Sequence, residues 1–369
     1  MPSAPAALPA LDRRWVWTGL GLAALLLRQL LAANPYFTEV VYARGVFPLI
    51  RYAYDYTLGW LPVPVLYVAV AGLLLVLALR LRRRRRSGRS LRHRLGHLLL
   101  GMLAFSGAVV FWFLFLWGYN YQRRPIEAQL DLQPLQPDSV VLEREFRQVT
   151  AALAAARAAV PLADTAPLQA ALRPAALEAE LRRALADALA DMGYPAPGRV
   201  RVRVLKPDGV LLRFGASGIY IPFVLEGHVD GALPAAFLPF TLAHEMAHGY
   251  GFGDEGVCNF LAWAACMRSA EPAVRYSGLL GYWRYLAADW RQLRPEGYGA
   301  FRDSLPAGVR ADLRSLRQAL ERYPGWFPET GARVYSQYLR SQGVREGMAS
   351  YSRMTALVLA YERKRGSPP

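Results

Sequence analysis

Three long apolar runs in the first 117 residues constrain what this chain can fold into more than any other feature. From Leu61 to Leu79 no residue is charged, and Val, Leu and Ala dominate. As a helix rising about 1.5 Å per residue, that run covers about 28 Å, the depth of a bilayer core. Pro62 and Pro64 stand at its start, where a helix tolerates proline. A second run, Leu98–Trp117, gathers Trp112, Trp117, Tyr119 and Tyr121 toward one end, as at a membrane–water boundary. The remaining run, Trp15–Ala33, follows Arg13 and Arg14 and carries one interior charge, Arg28. Such a charge can snorkel to an interface or face another helix. The run is long for a cleaved signal core and two more follow it, so it reads as a span.

Charge then orients the spans. The chain carries a net +16, but nine arginines fall between Arg80 and Arg94, squeezed between two apolar runs. A basic block so placed reads as a cytoplasmic loop. Nucleic acid is excluded as a partner because no aromatic–basic module accompanies the block. The expected topology puts the N-terminus inside and everything after Trp117 outside the cytoplasmic membrane. Residues 1–121 then form a membrane region (spans 15–33, 61–79 and 98–117, basic loop 80–94), and residues 122–369 an extracytoplasmic domain. Between the first two spans, Pro35–Trp60 reads as an external loop lying on the surface through Tyr42, Phe47, Tyr52 and Tyr54. A transporter is disfavoured, since three spans without a polar intramembrane pair offer little pathway.

The remainder reads as α+β. Ser139–Val160 and Pro167–Met192 have three- and four-residue apolar spacing, as helices do. Arg199–Lys206 alternates Val with Arg like a half-buried strand. Ile219–Val224 is strand-like too, and Pro222 assigns it to a sheet edge. From Leu238 helices return. Cys258 and Cys266 are eight apart, about 12 Å on one helix, too far for a bridge, and read as small packing residues.

The chemistry lies in Thr241–Phe260, TLAHEMAHGYGFGDEGVCNF. His244 and His248, four apart, sit about 40° from each other on one helix face, so both imidazoles can reach one metal ion. Glu245 projects beside them, where a carboxylate can move a proton. Pro239 and the glycines 249, 251 and 253 bracket a short helix. Catalytic zinc takes three protein ligands and leaves one position open. Two carboxylates compete for the third place: Asp254, in a His-Glu-x-x-His-x-x-Gly-x-x-Asp order resembling metzincins, and Glu255, in an order resembling the gluzincin Glu-x-x-Ala-Asp/Asn helix. In the second arrangement Asn259 orients a ligand histidine. His228, alone in a strand, reads first as structural, with a substrate or transition-state contact as its functional alternative. Tyr276 and Tyr351 are candidates for such a contact, against an ordinary packing role.

With these residues in place, the chain resembles an uncharacterised bacterial family of membrane proteins similar to zinc metallopeptidases, known as a domain of unknown function. The resemblance rests on Trp117-Gly118-Tyr119-Asn120-Tyr121, Glu226-Gly227-His228-Val229-Asp230, His244–His248, Glu255 with Asn259-Phe260, Arg275-Tyr276-Ser277 and Ser350-Tyr351. It implies a helix-rich zincin-like α+β domain behind three transmembrane helices, with one Zn2+ per chain. Val257 and Cys258 replace that family's second Glu and its Ala, which leaves Glu255 as the family-like third ligand. The expected function is membrane-anchored zinc-dependent hydrolysis of a peptide or protein substrate. A catalytically inactive zincin-like scaffold or binding module is the alternative, suggested by the Val257-Cys258 pair.

Overall fold

The computed structural model describes residues 12–84, 91–133, 138–160, 165–169, 173–293, 295–326 and 353–366, together with 333, 336, 337 and 340. Its N-terminal part holds α1 (Arg13–Ala33), α2 (Phe47–Thr57), α3 (Val65–Arg84) and α4 (Leu91–Leu116). Three of them, α1, α3 and α4, are long and apolar enough to cross a membrane. Asp12 caps α1 by accepting from the Arg14 N–H at 3.0 Å. α1 and α4 approach closely where Gly21 faces Gly107, since a Cβ on either would strike backbone. Small residues at such a crossing let apolar helices pack at short range. The apolar run expected to begin at Leu61 becomes helical only at Val65, after Pro62 and Pro64, and α3 extends through Arg84.

Pro35–Trp60 corrects the expectation of a surface loop. Its residues form a short helix at Pro35–Phe37, a π-helical stretch at Thr38–Val46, and α2. Tyr42, Phe47 and Tyr54 are buried, and only Tyr52 of the four is exposed. The segment is a wedge between α4 and the C-terminal part. Tyr42 donates to the Phe115 carbonyl at 2.8 Å, and Arg51 donates to the Leu225 carbonyl at 2.7 Å. Aromatic rings with partnered hydroxyls gain more between two packed bodies than on a lipid surface.

The C-terminal part comprises α5 (Ser139–Ala158), α6 (Pro174–Asp191), β1 (Val202–Leu205), β2 (Gly218–Ile221), β3 (Glu226–Asp230), α7 (Leu238–Gly249), α8 (Glu255–Arg268), α9 (Pro272–Leu293), α10 (Ala307–Arg322) and α11 (Arg353–Lys364). The helix read over Pro167–Met192 starts instead at Pro174, whose missing N–H suits a first turn. The sheet runs β1-β3-β2, with β1 parallel and β2 antiparallel to the central β3. The edge stretch expected at Ile219–Val224 is β2, at one edge of the sheet, and Pro222 lies in the turn that leads to the central β3. α8 is buried at every residue from Glu255 to Cys266, as a helix threading the core must be, and it packs on α6, α7, α9 and α11. Cys258 and Cys266 are buried and unbridged.

The first residue of α3 and the residue after α4 join this body. Val65, the first residue of α3, donates its N–H to Glu226 Oε2 in β3 at 2.8 Å. Trp117, directly after α4, donates its indole N–H to the His248 carbonyl at 2.8 Å. α3 is about 30 Å long, so its last residue, Arg84, lies at the far end from the sheet.

Candidate metal centre

α7 begins with Pro239 in its first turn and ends at Gly249. The chain then reverses through Gly251, whose φ of 87° is a left-handed conformation that glycine adopts without strain. Asp254 caps the next helix by accepting from the Val257 N–H at 2.9 Å, which makes Glu255 the first residue of α8. This tight reversal lays the start of α8 against the last turns of α7.

Three donor atoms converge there. His244 Nε2 and His248 Nε2 are 3.2 Å apart, and Glu255 Oε2 lies 3.1 Å from the first and 3.6 Å from the second. The other imidazole nitrogens are occupied: Nδ1 of His244 faces Asn259 Oδ1 at 2.8 Å, and Nδ1 of His248 faces the Phe252 carbonyl at 2.8 Å. Since both acceptors lack a proton, each ring in its neutral form carries its hydrogen on Nδ1 and turns a lone pair inward from Nε2. Two lone pairs and a carboxylate facing one point is a cation-binding arrangement. The spacing also fits zinc, because ligands about 2.05 Å from a tetrahedral ion stand about 3.3 Å from one another. Among the described residues this is the group of His, Cys, Asp and Glu side chains placed to hold a metal ion.

Electrostatics follow from the geometry. Burial works to raise the Glu255 carboxyl, but when the imidazoles carry a second proton, on Nε2, the His248 charge and hydrogen bonds from both histidines hold it well below the usual range. Glu245, the residue after the first histidine, is buried, and its Oε2 has no hydrogen-bond partner among the described residues. Burial pushes its carboxyl up to about 7, against the opposing pull of His244 and His248. Its room is made by two glycines. A Cβ on Gly218 of β2 would lie 2.9 Å from Glu245 Cδ and Cγ, and one on Gly227 of β3 would lie 2.8 Å from Glu245 Cβ.

The other expected residues fall elsewhere. Asp254 faces away from the donor group, capping α8 and pairing with Arg353 at 2.6 Å. Gly227 faces Glu245, so strand alternation puts His228 on the opposite face of the sheet. There it is fully buried, with Nε2 3.8 Å from Glu226 Oε2, and burial lowers its pKa to about 4, keeping it neutral. This places the His228 side chain apart from the three converging atoms. The Tyr276 hydroxyl is engaged elsewhere, donating at 2.8 Å to Asp312, itself paired with Arg157. Tyr351 lies outside the described residues. Cys258 stands 3.3 Å from Nδ1 of His248, on the side away from the converging atoms, and burial pushes its thiol up to about 11.

Sequence reasoning missed Gly218, Gly227, the Phe252 carbonyl and the Trp117 indole. A glycine inside a strand-like stretch is itself a signal that something approaches closely, and it pointed to Gly218 and Gly227. The two carbonyl bonds, at Phe252 and His248, leave no mark on residue identity.

The chain belongs to the family described as Protein of unknown function (DUF3810), which matches residues 42–359. No curated protein and no solved structure matches it.

Proposed function

We propose that this chain is a membrane-anchored zinc-dependent peptidase acting on the side of the membrane opposite the arginine loop. The observation that carries this reading is the convergence of His244 Nε2, His248 Nε2 and Glu255 Oε2 beside Glu245, whose Oε2 has no hydrogen-bond partner among the described residues. Those three atoms would hold one zinc ion, with Asn259 and the Phe252 carbonyl keeping the imidazoles in the right tautomer and angle. Zinc, when bound, supplies Lewis acidity toward a carbonyl oxygen and acidifies water. Glu245 takes the proton of the attacking water and returns it to the departing amine, as the C–O bond forms and the C–N bond breaks. Its raised affinity for a proton suits a group that must both accept and release one near neutral pH. β2, whose Gly218 lies over Glu245, has an outer edge paired with no strand among the described residues, along which an extended peptide can add as a further strand.

The arginines around the α3–α4 connection support this orientation, since a basic block beside apolar spans favours the cytoplasmic side of a bacterial membrane and would leave the metal centre outside. An alkaline phosphatase fused at the C-terminus is then active, and an inactive fusion is the opposite result.

The deciding experiment uses the full chain in nanodiscs, with zinc per chain and turnover of a broad peptide pool measured together. About one zinc is expected in the wild type and almost none in His248→Ala. Glu245→Gln keeps the zinc and loses hydrolysis; unchanged hydrolysis would falsify its role. Zinc bound without hydrolysis of any peptide favours the second reading, a zincin-like binding module. The Val257-Cys258 departure, with its thiol against His248, is what speaks for that reading.

A further inference from the structure

The contacts of the metal helix set its height relative to the apolar helices. Trp117 follows the last residue of α4, and its ring centre is 6.2 Å from that of the ligand His248. Its indole N–H also holds the His248 carbonyl. From α1, the Ala24 carbonyl accepts from the Tyr119 hydroxyl at 3.1 Å. On the other side of the sheet, the first N–H of α3 is bound by Glu226 of β3. A body of roughly 250 residues is about 45 Å across, so a site could stand far above the bilayer. This one stands at the bilayer end.

The strand that would align a substrate lies at the same level. Phe223, in the β2–β3 turn, has its ring centre 6.4 Å from that of Phe113, inside the apolar window Leu95–Leu116 of α4. Tyr220 of β2 packs against Trp117, with ring centres 5.6 Å apart. Ile219 and Phe223 remain exposed, at 41% and 48%. Around the same helix ends Tyr36, Phe37, Tyr56, Trp60 and Tyr67 are also exposed. Aromatic residues collected at one level around apolar helices mark a membrane–water boundary.

We propose that the substrate is a membrane-anchored polypeptide, cut in the apolar stretch that flanks its own span, within a few residues of the bilayer surface. This rests on the peptidase reading and on α1, α3 and α4 crossing a bilayer. An extended chain leaving the membrane beside α4 meets the exposed Phe223 and Ile219 first and then the edge of β2. A scissile bond reaches the metal centre there without the anchor leaving the lipid. A residue of extended chain advances at most about 3.6 Å. Two or three residues therefore bridge the boundary, whereas a site at the top of the body would need ten or more.

The test measures that height with substrates. The full chain, zinc-loaded, is placed in phosphatidylcholine nanodiscs with one of three fluorogenic peptide pools, each randomised over the same eight positions. One pool is joined by two residues to a leucine-rich transmembrane anchor, one by a 30-residue Gly/Ser spacer to the same anchor, and one is free in solution. At equal surface density, the short-spacer pool is expected to be cleaved at least ten-fold faster than the long-spacer pool. Effective concentration falls steeply once a linker exceeds the span it must bridge. The free pool should be slowest. A long-spacer pool cleaved as fast as or faster than the short one places the site away from the surface and overturns the proposal, leaving the peptidase intact. A free pool cleaved as fast as the short-spacer pool overturns it equally. Cleavage of none of the three, with zinc bound and lost in His248→Ala, overturns the peptidase reading itself.

Discussion

Gly218→Ala separates the position of Glu245 from its mere presence. Gly218 lies in β2, and its φ is outside the left-handed region, so the backbone accepts alanine. The new Cβ would strike Glu245 Oε1 and stand 2.9 Å from its Cδ and Cγ, where ordinary contact begins at 3.4 Å and extends to 4 Å. The carboxylate must therefore withdraw by about 1 Å. Because it is the far end of a flexible side chain, withdrawal costs little stability, less than about 1 kcal/mol. The three converging donor atoms are not touched. A displacement near 1 Å at a reacting group costs on the order of 100-fold in rate, so turnover should fall about 10- to 100-fold. Zinc per chain and melting temperature should hold. Gly227→Ala is the contrast, since its Cβ would meet Glu245 Cβ at 2.8 Å and Val202 Cγ2 at 2.9 Å, atoms rooted in the core. Neither can swing away, and overpacking of this type costs about 1–3 kcal/mol. The assay follows peptide-pool turnover, bound zinc and thermal unfolding on the same nanodisc preparations. Full turnover in Gly218→Ala would refute the assignment of the carboxylate's position to catalysis. Loss of zinc in Gly218→Ala would show that the clash reaches the donors.

Asn259→Ala removes the acceptor that orients His244, and zinc affinity measured by chelator competition should fall about 10- to 100-fold; unchanged affinity means the ring is held by packing alone. Asp312→Ala leaves Arg157 charged and buried and strips partners from the Tyr276 hydroxyl and the Leu168 N–H, so unfolding should become easier by about 3–5 kcal/mol. A loss below about 1 kcal/mol in denaturant titration would contradict that buried network. Glu362→Gln tests a pH dependence at a site remote in sequence from the metal motif. Burial, with the Glu145 charge adding to it, pushes the Glu362 carboxyl up to about 7 from 4.5. The folded state then holds more protons than the unfolded one between those values, so stability is lost as pH rises through the window. The variant should gain over wild type from pH 5 to pH 8 by about 1–2 kcal/mol, a figure reduced because the group keeps solvent contact. Equal melting differences at both pH values would count against it.

What the sequence made legible was what depends on neighbours along the chain. The length and lack of charge of Leu61–Leu79 are local properties, and α3 is a helix long and apolar enough to cross a membrane. The four-residue spacing of His244 and His248 is local as well, and the helix converts it directly into two converging imidazoles. Even the choice between Asp254 and Glu255 had a local rule behind it. Aspartate is a favoured helix cap, and a residue that caps turns its carboxylate onto its own helix's N–H groups, leaving the next residue free to face across. Nothing local reveals that Tyr276 will find Asp312, that Tyr42 and Phe47 will be covered by the sheet end of the body, or that Gly218 and Gly227 frame Glu245. Those facts require segments far apart in sequence to be laid side by side.

Trp117 shows the difference most directly. Its aromatic neighbours mark it as a boundary residue, and His248 is legible as a metal donor, 131 residues later. Each is legible alone; the hydrogen bond between them is not, and that bond ties the height of the metal centre to the end of an apolar helix. The histidine motif read without it says nothing of where the donor group stands. With it, the end of α4 becomes part of the site's geometry, and on the peptidase reading proposed above the bilayer surface would become one wall of the space from which a substrate arrives.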